Sequence, residues 1–177
     1  MIIRRATSSD LYDVLAVERA AFGEDGVASL VNDLLNDPSA EPVISLLAFQ
    51  EERAVGHVLF TYARLKPEAA LSVYILAPLA VVPEFQEQGV GKALAEAGLR
   101  ILSQSGVDLV FVLGYPQYYR RFGFKPAGTL GFSAPYPIPK KNADAWMVLG
   151  LTSGAGDSCG GTVMCADSLN QSEHWRE

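Results

Sequence analysis

The stretch from Leu79 to Leu94, LAVVPEFQEQGVGKAL, constrains the fold of this chain more than any other part of it. An apolar run that reads as the end of a strand gives way to a turn with glycines at 89 and 91. A helical pattern starts directly behind that turn. Strand, glycine turn and helix in this order leave unpaired N–H groups and the positive end of a helix dipole at a strand's end. Both features favour an anion. Glycine at 89 and 91 lets the main chain approach phosphate oxygens with no side chain between. Lys92, in the first helical turn, opposes the dipole unless an anion sits nearby, although Glu87 is equally near.

Phosphate-binding turns of other kinds fit less well. A Walker loop needs G-x-x-x-x-G-K-[ST], but Gln86 stands at its first glycine and Ala93 at its Ser/Thr. A dinucleotide fingerprint would run Gly89-x-Gly91-x-x-Leu94, with a bulky residue where close packing wants Gly or Ala, and it lacks the acidic residue at the right strand end. An ordinary glycine turn before a helix is the plain alternative.

The rest of the chain reads as short alternating elements. A strand over Ile2–Arg5 precedes Thr7-Ser8-Ser9-Asp10, a helix-start pattern. Leu11, Val14, Leu15 and Phe22 follow at helical spacing, and Val27 to Leu35 form a second amphipathic helix that Pro38 ends. Val43–Phe49 and Val55–Tyr62 are apolar runs joined by Gln50-Glu51-Glu52-Arg53, which predicts a hairpin. Ser72–Val82 is a third strand with Pro78 inside it. Proline cannot donate to a ladder, so a bulge or a loss of pairing is expected there. A helix over Gly89–Gln104, capped at Ser105-Gly106, leads to a buried strand at Leu109–Leu113 and an aromatic cluster from Tyr115 to Phe124. Phe132–Asn142 carries three prolines and reads as a loop, and Trp146–Leu151 returns as a strand. This order points to a mixed α/β sandwich.

Composition removes several classes of function. With 49% hydrophobic residues in 177, the chain has enough apolar material for one core without disulfides or metal. A net charge of −6 argues against nucleic acid and against an anionic membrane surface. No apolar run approaches the roughly 18 residues of a membrane span, and the N-terminus lacks the apolar stretch of a secretory signal. A cytoplasmic location is expected. Cys159 and Cys165 read as reduced thiols, and with only His57 and His174 beside them no metal site is expected.

Q-x-x-G-x-G behind a strand resembles the acyl-CoA signature of the GNAT N-acetyltransferases. The longer string from Pro78 through Pro83-Glu84-Phe85-Gln86 to Gly91 resembles their YhbS-like branch, as does Tyr118-Tyr119-Arg120-Arg121-Phe122-Gly123-Phe124. The resemblance covers about residues 2–152. It implies the GNAT acyl-CoA N-acyltransferase fold: an α/β domain over 1–152 with a mixed, mostly antiparallel sheet, a bulged and splayed strand pair, and helices on both faces. Residues 153–177 would be a Gly/Ser-rich C-terminal extension with room for a short strand at 162–165.

The resemblance further implies direct transfer of an acetyl group from acetyl-CoA, the co-substrate, to a primary amine on a small molecule or peptide. A homodimer is left open. Leu79, Ala80 and Val81 on the bulged strand would hold the thioester carbonyl, and amides of Gln86, Glu87, Gln88, Gly89, Val90, Gly91, Lys92 and Ala93 the pyrophosphate. Tyr119, four residues before Gly123, takes the place of the family's tyrosine acid, with Tyr118 as the fallback. A phenol stays protonated at neutral pH and can donate to a departing thiolate. The base is open between His57, Glu84 and a chain of waters, with Glu24 and Asp25 as groups that could face an acceptor amine. An acyl-CoA-binding module without chemistry is the main rival. It separates from an enzyme on product formation.

Overall fold

The computed structural model describes residues 1–157 and 159–176. Its main sheet runs in the order β1 (Ile2–Arg5), β2 (Ile44–Gln50), β3 (Arg53–Lys66), β4 (Val73–Val81), β5 (Leu109–Leu113), β8 (Trp146–Gly150) and β6 (Lys125–Pro126). A side arm made of β7 (Phe132–Ser133) and β9 (Gly161–Met164) hangs on the far end of β3 at Arg64–Lys66. Neighbours are antiparallel except for β4–β5 and β7–β9, so the sheet is mixed and mostly antiparallel, and it stays open.

Both faces of the sheet are covered, which explains why β2 to β5 read as continuous apolar runs. Alternate residues of β3 face opposite ways. Val58 and Phe60 point to α3 (Val90–Gln104), where they pack with Leu94 and Leu102. Leu59 points to the other face, where Val14 of α1 (Leu11–Phe22) and Val31 and Leu34 of α2 (Gly26–Leu35) close a second apolar layer. A fourth, short helix, α4 (Pro116–Arg120), follows β5. The Thr7–Asp10 pattern starts α1 as expected: the Asp10 carboxylate accepts from the Thr7 N–H at 2.7 Å, and Arg4 binds it through two bonds of 2.8 and 2.9 Å, tying β1 to the helix start.

Residues 161–176 share the second layer through Val163, Ala166, Leu169 and Trp175. Trp175 is buried edge-on against Trp146, with 5.6 Å between ring centroids, and Trp146 stacks on Phe111. Asp37 holds this segment in place. One oxygen accepts from the Ser39 N–H and hydroxyl at 2.9 and 2.6 Å, and the other from the Ser168 N–H and hydroxyl at 2.9 and 2.8 Å. Burial pushes the Asp37 pKa up, but these four bonds outweigh it and bring the value down to about 2.

A carboxylate lowered in this way stabilises the fold above its unfolded pKa of about 3.9, and the contribution fades as pH falls toward the folded value. Asp37→Asn should therefore cost about 2 kcal/mol at neutral pH and much less near pH 2. Urea unfolding of both proteins at pH 7 and near pH 2 to 3 checks this, and a gap that does not narrow with acid would refute it.

Candidate active site

The sheet opens between β4 and β5. Their parallel pairing covers only Val73–Leu76 with Leu109–Val112, and beyond it the strands part. At the same level β4 bulges against β3: Phe60 pairs with Leu76 but Val58 pairs with Leu79, so Ala77 and Pro78 together oppose Leu59. This is the irregularity that Pro78 predicts, because proline has no N–H for the ladder. Farther along, the Val82 N–H donates to the Val55 carbonyl at 2.9 Å. Antiparallel pairing alternates, so Ala80 also turns its main chain to β3, while Leu79 and Val81 turn theirs toward the side that β5 has left. The Val81 carbonyl is taken there by the Gln86 side-chain amide at 3.0 Å.

The glycine turn lies at the mouth of this gap. A short 3-10 turn, Pro83–Phe85, is braced by Arg53, which reaches Glu84 at 2.6 Å and lies over the Phe85 ring. The chain then passes through two left-handed residues, Glu87 (φ 61°) and Gly89 (φ 87°), before α3 begins at Val90. Ala93 is the first residue of α3 to bond back, to the Gly89 carbonyl at 3.0 Å. The N–H groups of Gly89, Val90, Gly91 and Lys92 therefore have no helical partner, and no side chain caps them. Gln86 to Gly89 and Lys92 are exposed. Two amides of the expected Gln86–Ala93 cradle are already used, however. Ala93 is bonded within the helix, and the Gln86 N–H donates to the Pro83 carbonyl at 3.3 Å. The amides open to an anion run from Glu87 to Lys92.

Opposite this turn stands the aromatic cluster. Tyr119 is buried with its ring against Gly114, at the end of β5, and edge-on to Tyr118 and Phe124 at 5.1 and 5.7 Å. Burial, with the Tyr118 phenol beside it, holds its hydroxyl well above the ordinary pKa. Tyr118 leans the other way. A Cβ at Gly91 would stand 2.6 Å from the Tyr118 hydroxyl, 3.5 Å from Val81 Cγ2 and 3.7 Å from Leu79 Cδ2. The Tyr118 hydroxyl thus overhangs the start of α3, which spacing along the chain did not reveal. Burial raises its pKa too, partly offset by the Arg121 guanidinium over its ring at 4.6 Å. Both phenols are proton donors at neutral pH.

None of the expected bases touches this gap directly. His57 is sealed in the sheet, its ring bonded to Glu18 through Nδ1 at 2.6 Å and to the Ser45 hydroxyl through Nε2 at 2.8 Å. Glu84 is exposed and paired with Arg53, and Asp25 is exposed and paired with Arg19 at 3.0 Å. Glu24 is exposed in the α1–α2 turn. Glu18 escaped sequence reasoning, though a signal exists: it occupies one of the spaced positions Val14, Val17, Glu18 and Ala21 where α1 should be apolar. Among the described residues no three His, Cys, Asp or Glu side chains gather to hold a metal ion, and no helix is long and apolar enough to cross a membrane.

Residues 2–127 match the family described as the acetyltransferase (GNAT) domain. The chain is 48% identical to the uncharacterized N-acetyltransferase YjhQ of Escherichia coli K12, over 90% of this chain and 88% of that one. Among solved structures, the GNAT family N-acetyltransferase YhbS of Escherichia coli in complex with CoA superposes with a TM-score of 0.87 at 30% identity, covering 96% of this chain and 92% of the other. A GNAT family acetyltransferase of Brucella melitensis in complex with acetyl-CoA gives 0.75 at 25% identity, covering 95% and 97%.

Proposed function

The chain belongs to the GNAT acetyltransferase family, and on that footing we propose that it moves an acetyl group from acetyl-CoA to a primary amine by direct attack. One observation carries the reading: the gap between β4 and β5 leads straight to the uncapped start of α3. A long thioester with a pyrophosphate at its far end needs both features joined in this way. Amides from Glu87 to Lys92 hold the pyrophosphate, as helix starts hold anions. The pantetheine arm enters the gap, and the Leu79 and Val81 main chain, with Ala80 between them, positions the thioester carbonyl. N–H groups aimed at the developing oxyanion lower the barrier most when they are fixed beforehand, as they are on a strand. Tyr119 gives its proton to the sulfur as the C–S bond breaks. The CoA and acetyl-CoA complexes of the two solved relatives support acetyl-CoA as the acyl donor.

An acyl-CoA-binding module without turnover would keep the same cleft. Incubating the protein with acetyl-CoA and a broad panel of primary amines, small molecules and peptides alike, separates the two. We expect free CoA thiol to appear in step with an acetylated amine for at least one member. Tight acetyl-CoA binding with no product across the panel would leave only the binding module.

A further inference from the structure

The buried pair Glu18–His57 lies on the α1 face of the sheet, one strand behind the proposed cleft. Leu79 and Val81 point their side chains toward α3, so Ala80 between them points to the opposite face, that of α1. Ala80 is paired directly with His57 across β3–β4, which sets their Cα atoms about 5.5 Å apart. Glu18 reaches the ring from α1. Both side chains are fully buried, and Glu18 Oε2 has no hydrogen-bond partner. Filling this space with apolar residues would avoid the cost of taking these polar groups out of water. An orphan carboxylate oxygen adds to that penalty. Unused acceptor capacity beside a reaction centre is what a proton-transfer step requires.

We propose, on the acyltransferase reading above, that the Glu18–His57 pair receives the proton the acceptor ammonium gives up before attack, through one water admitted past the Ala80 methyl when the acceptor is bound. The ammonium loses one proton to Glu18 Oε2, and its freed lone pair forms the N–C bond. The C–S bond breaks with its electron pair left on sulfur. A second N–H proton leaves the amide nitrogen and replaces the one that the thiolate took from Tyr119. The pair then returns its proton to solvent, so acetyl-CoA and the ammonium give amide, CoA thiol and one free proton.

The neighbours of the pair are mostly apolar. From β2 the Ser45 hydroxyl and the Leu47 side chain face it, β4 presents Ala80, and the buried face of α2 is Ala28, Val31 and Leu34. On α1 the neighbouring Arg19 is turned outward to Asp25, and the half-buried Asp13 lies near Arg4, which is itself bound to Asp10. Burial raises the Glu18 pKa while His57 beside it pulls the other way.

The test is the pH profile of kcat/KM for an amine that the wild type acetylates. In the wild type it should rise with pH as Glu18 loses its proton. Glu18→Gln, which keeps size and shape, should lower kcat by at least about tenfold. It should also abolish that limb, with acetyl-CoA affinity and melting temperature near wild type. Ala80→Val leaves the pair intact but narrows the route, and should lower kcat while the limb stays in place. A Glu18→Gln enzyme with the wild-type limb overturns the proposal and leaves the acyltransferase reading standing. If Glu18→Gln fails to fold, Ala80→Val decides alone, and its full activity is an equally adverse result. A wild type inactive on every amine overturns both readings.

Discussion

Valine in place of Gly91 is expected to weaken acetyl-CoA binding by at least about 100-fold while the protein still unfolds in one cooperative step. A side chain at 91 meets the Tyr118 hydroxyl at 2.6 Å before it meets anything else, and the Val81 and Leu79 side chains lie just behind. The extra methyls of valine would force Tyr118 aside and stand over the N–H groups of the first turn. Two charge-assisted hydrogen bonds to phosphate, at about 1.5 to 3 kcal/mol each, account for a loss of that size. Gly89 fails for a different reason. Its Cβ would meet nothing, but its φ of 87° suits few residues other than glycine, and valine there is strained by about 1–2 kcal/mol. Gly89→Val should therefore lose both some stability and the aim of the neighbouring amides. Calorimetric titration of both variants, with thermal melts beside it, checks the pair of effects. Unchanged affinity in both would remove the turn from the site.

These two glycines show why this part of the cleft could be read in advance. Glycine turn, helix start and bulge-forming Pro78 are local features, each with its cause in one or two residues, and the structure has them where spacing put them. The parting of β4 and β5 is less local. Pro78 announces that pairing fails, but not that β5 departs after Val112. What remained hidden depends on contacts across the sheet. His57 came with candidate roles, yet its partner Glu18 lies 39 positions earlier, and only the α1–β3 packing brings them together. The Asp37–Ser168 bonds span 131 positions and fix the C-terminal segment against α2's end in a way that a Gly/Ser-rich composition concealed. Even adjacent residues diverge: Tyr118 and Tyr119 share a motif, but the helical turn of about 100° per residue sends one ring to Gly91 and the other to Gly114.

That divergence sets the second large effect. Tyr119→Phe should lower kcat about 100-fold and leave the Kd for acetyl-CoA within about twofold, the low end of what general acid catalysis supplies, because a thiolate is already a tolerable leaving group. The ring is packed against Gly114, Phe122 and Phe124, and all of that packing survives loss of the hydroxyl. An interaction made only as the C–S bond breaks affects kcat rather than binding. The raised pKa keeps the phenol protonated, so any fall of kcat from loss of this acid should begin above about pH 10. Tyr118→Phe should behave in the opposite sense. Its hydroxyl overhangs the first turn of α3, so its removal should change acetyl-CoA affinity more than kcat. Single-turnover acetylation at saturating amine, with calorimetry on each variant, separates the two. Full kcat in Tyr119→Phe would end its role as the acid. A kcat loss confined to Tyr118→Phe would move that role to the neighbouring phenol, where the sulfur would have to lie closer to Gly91 than to Gly114.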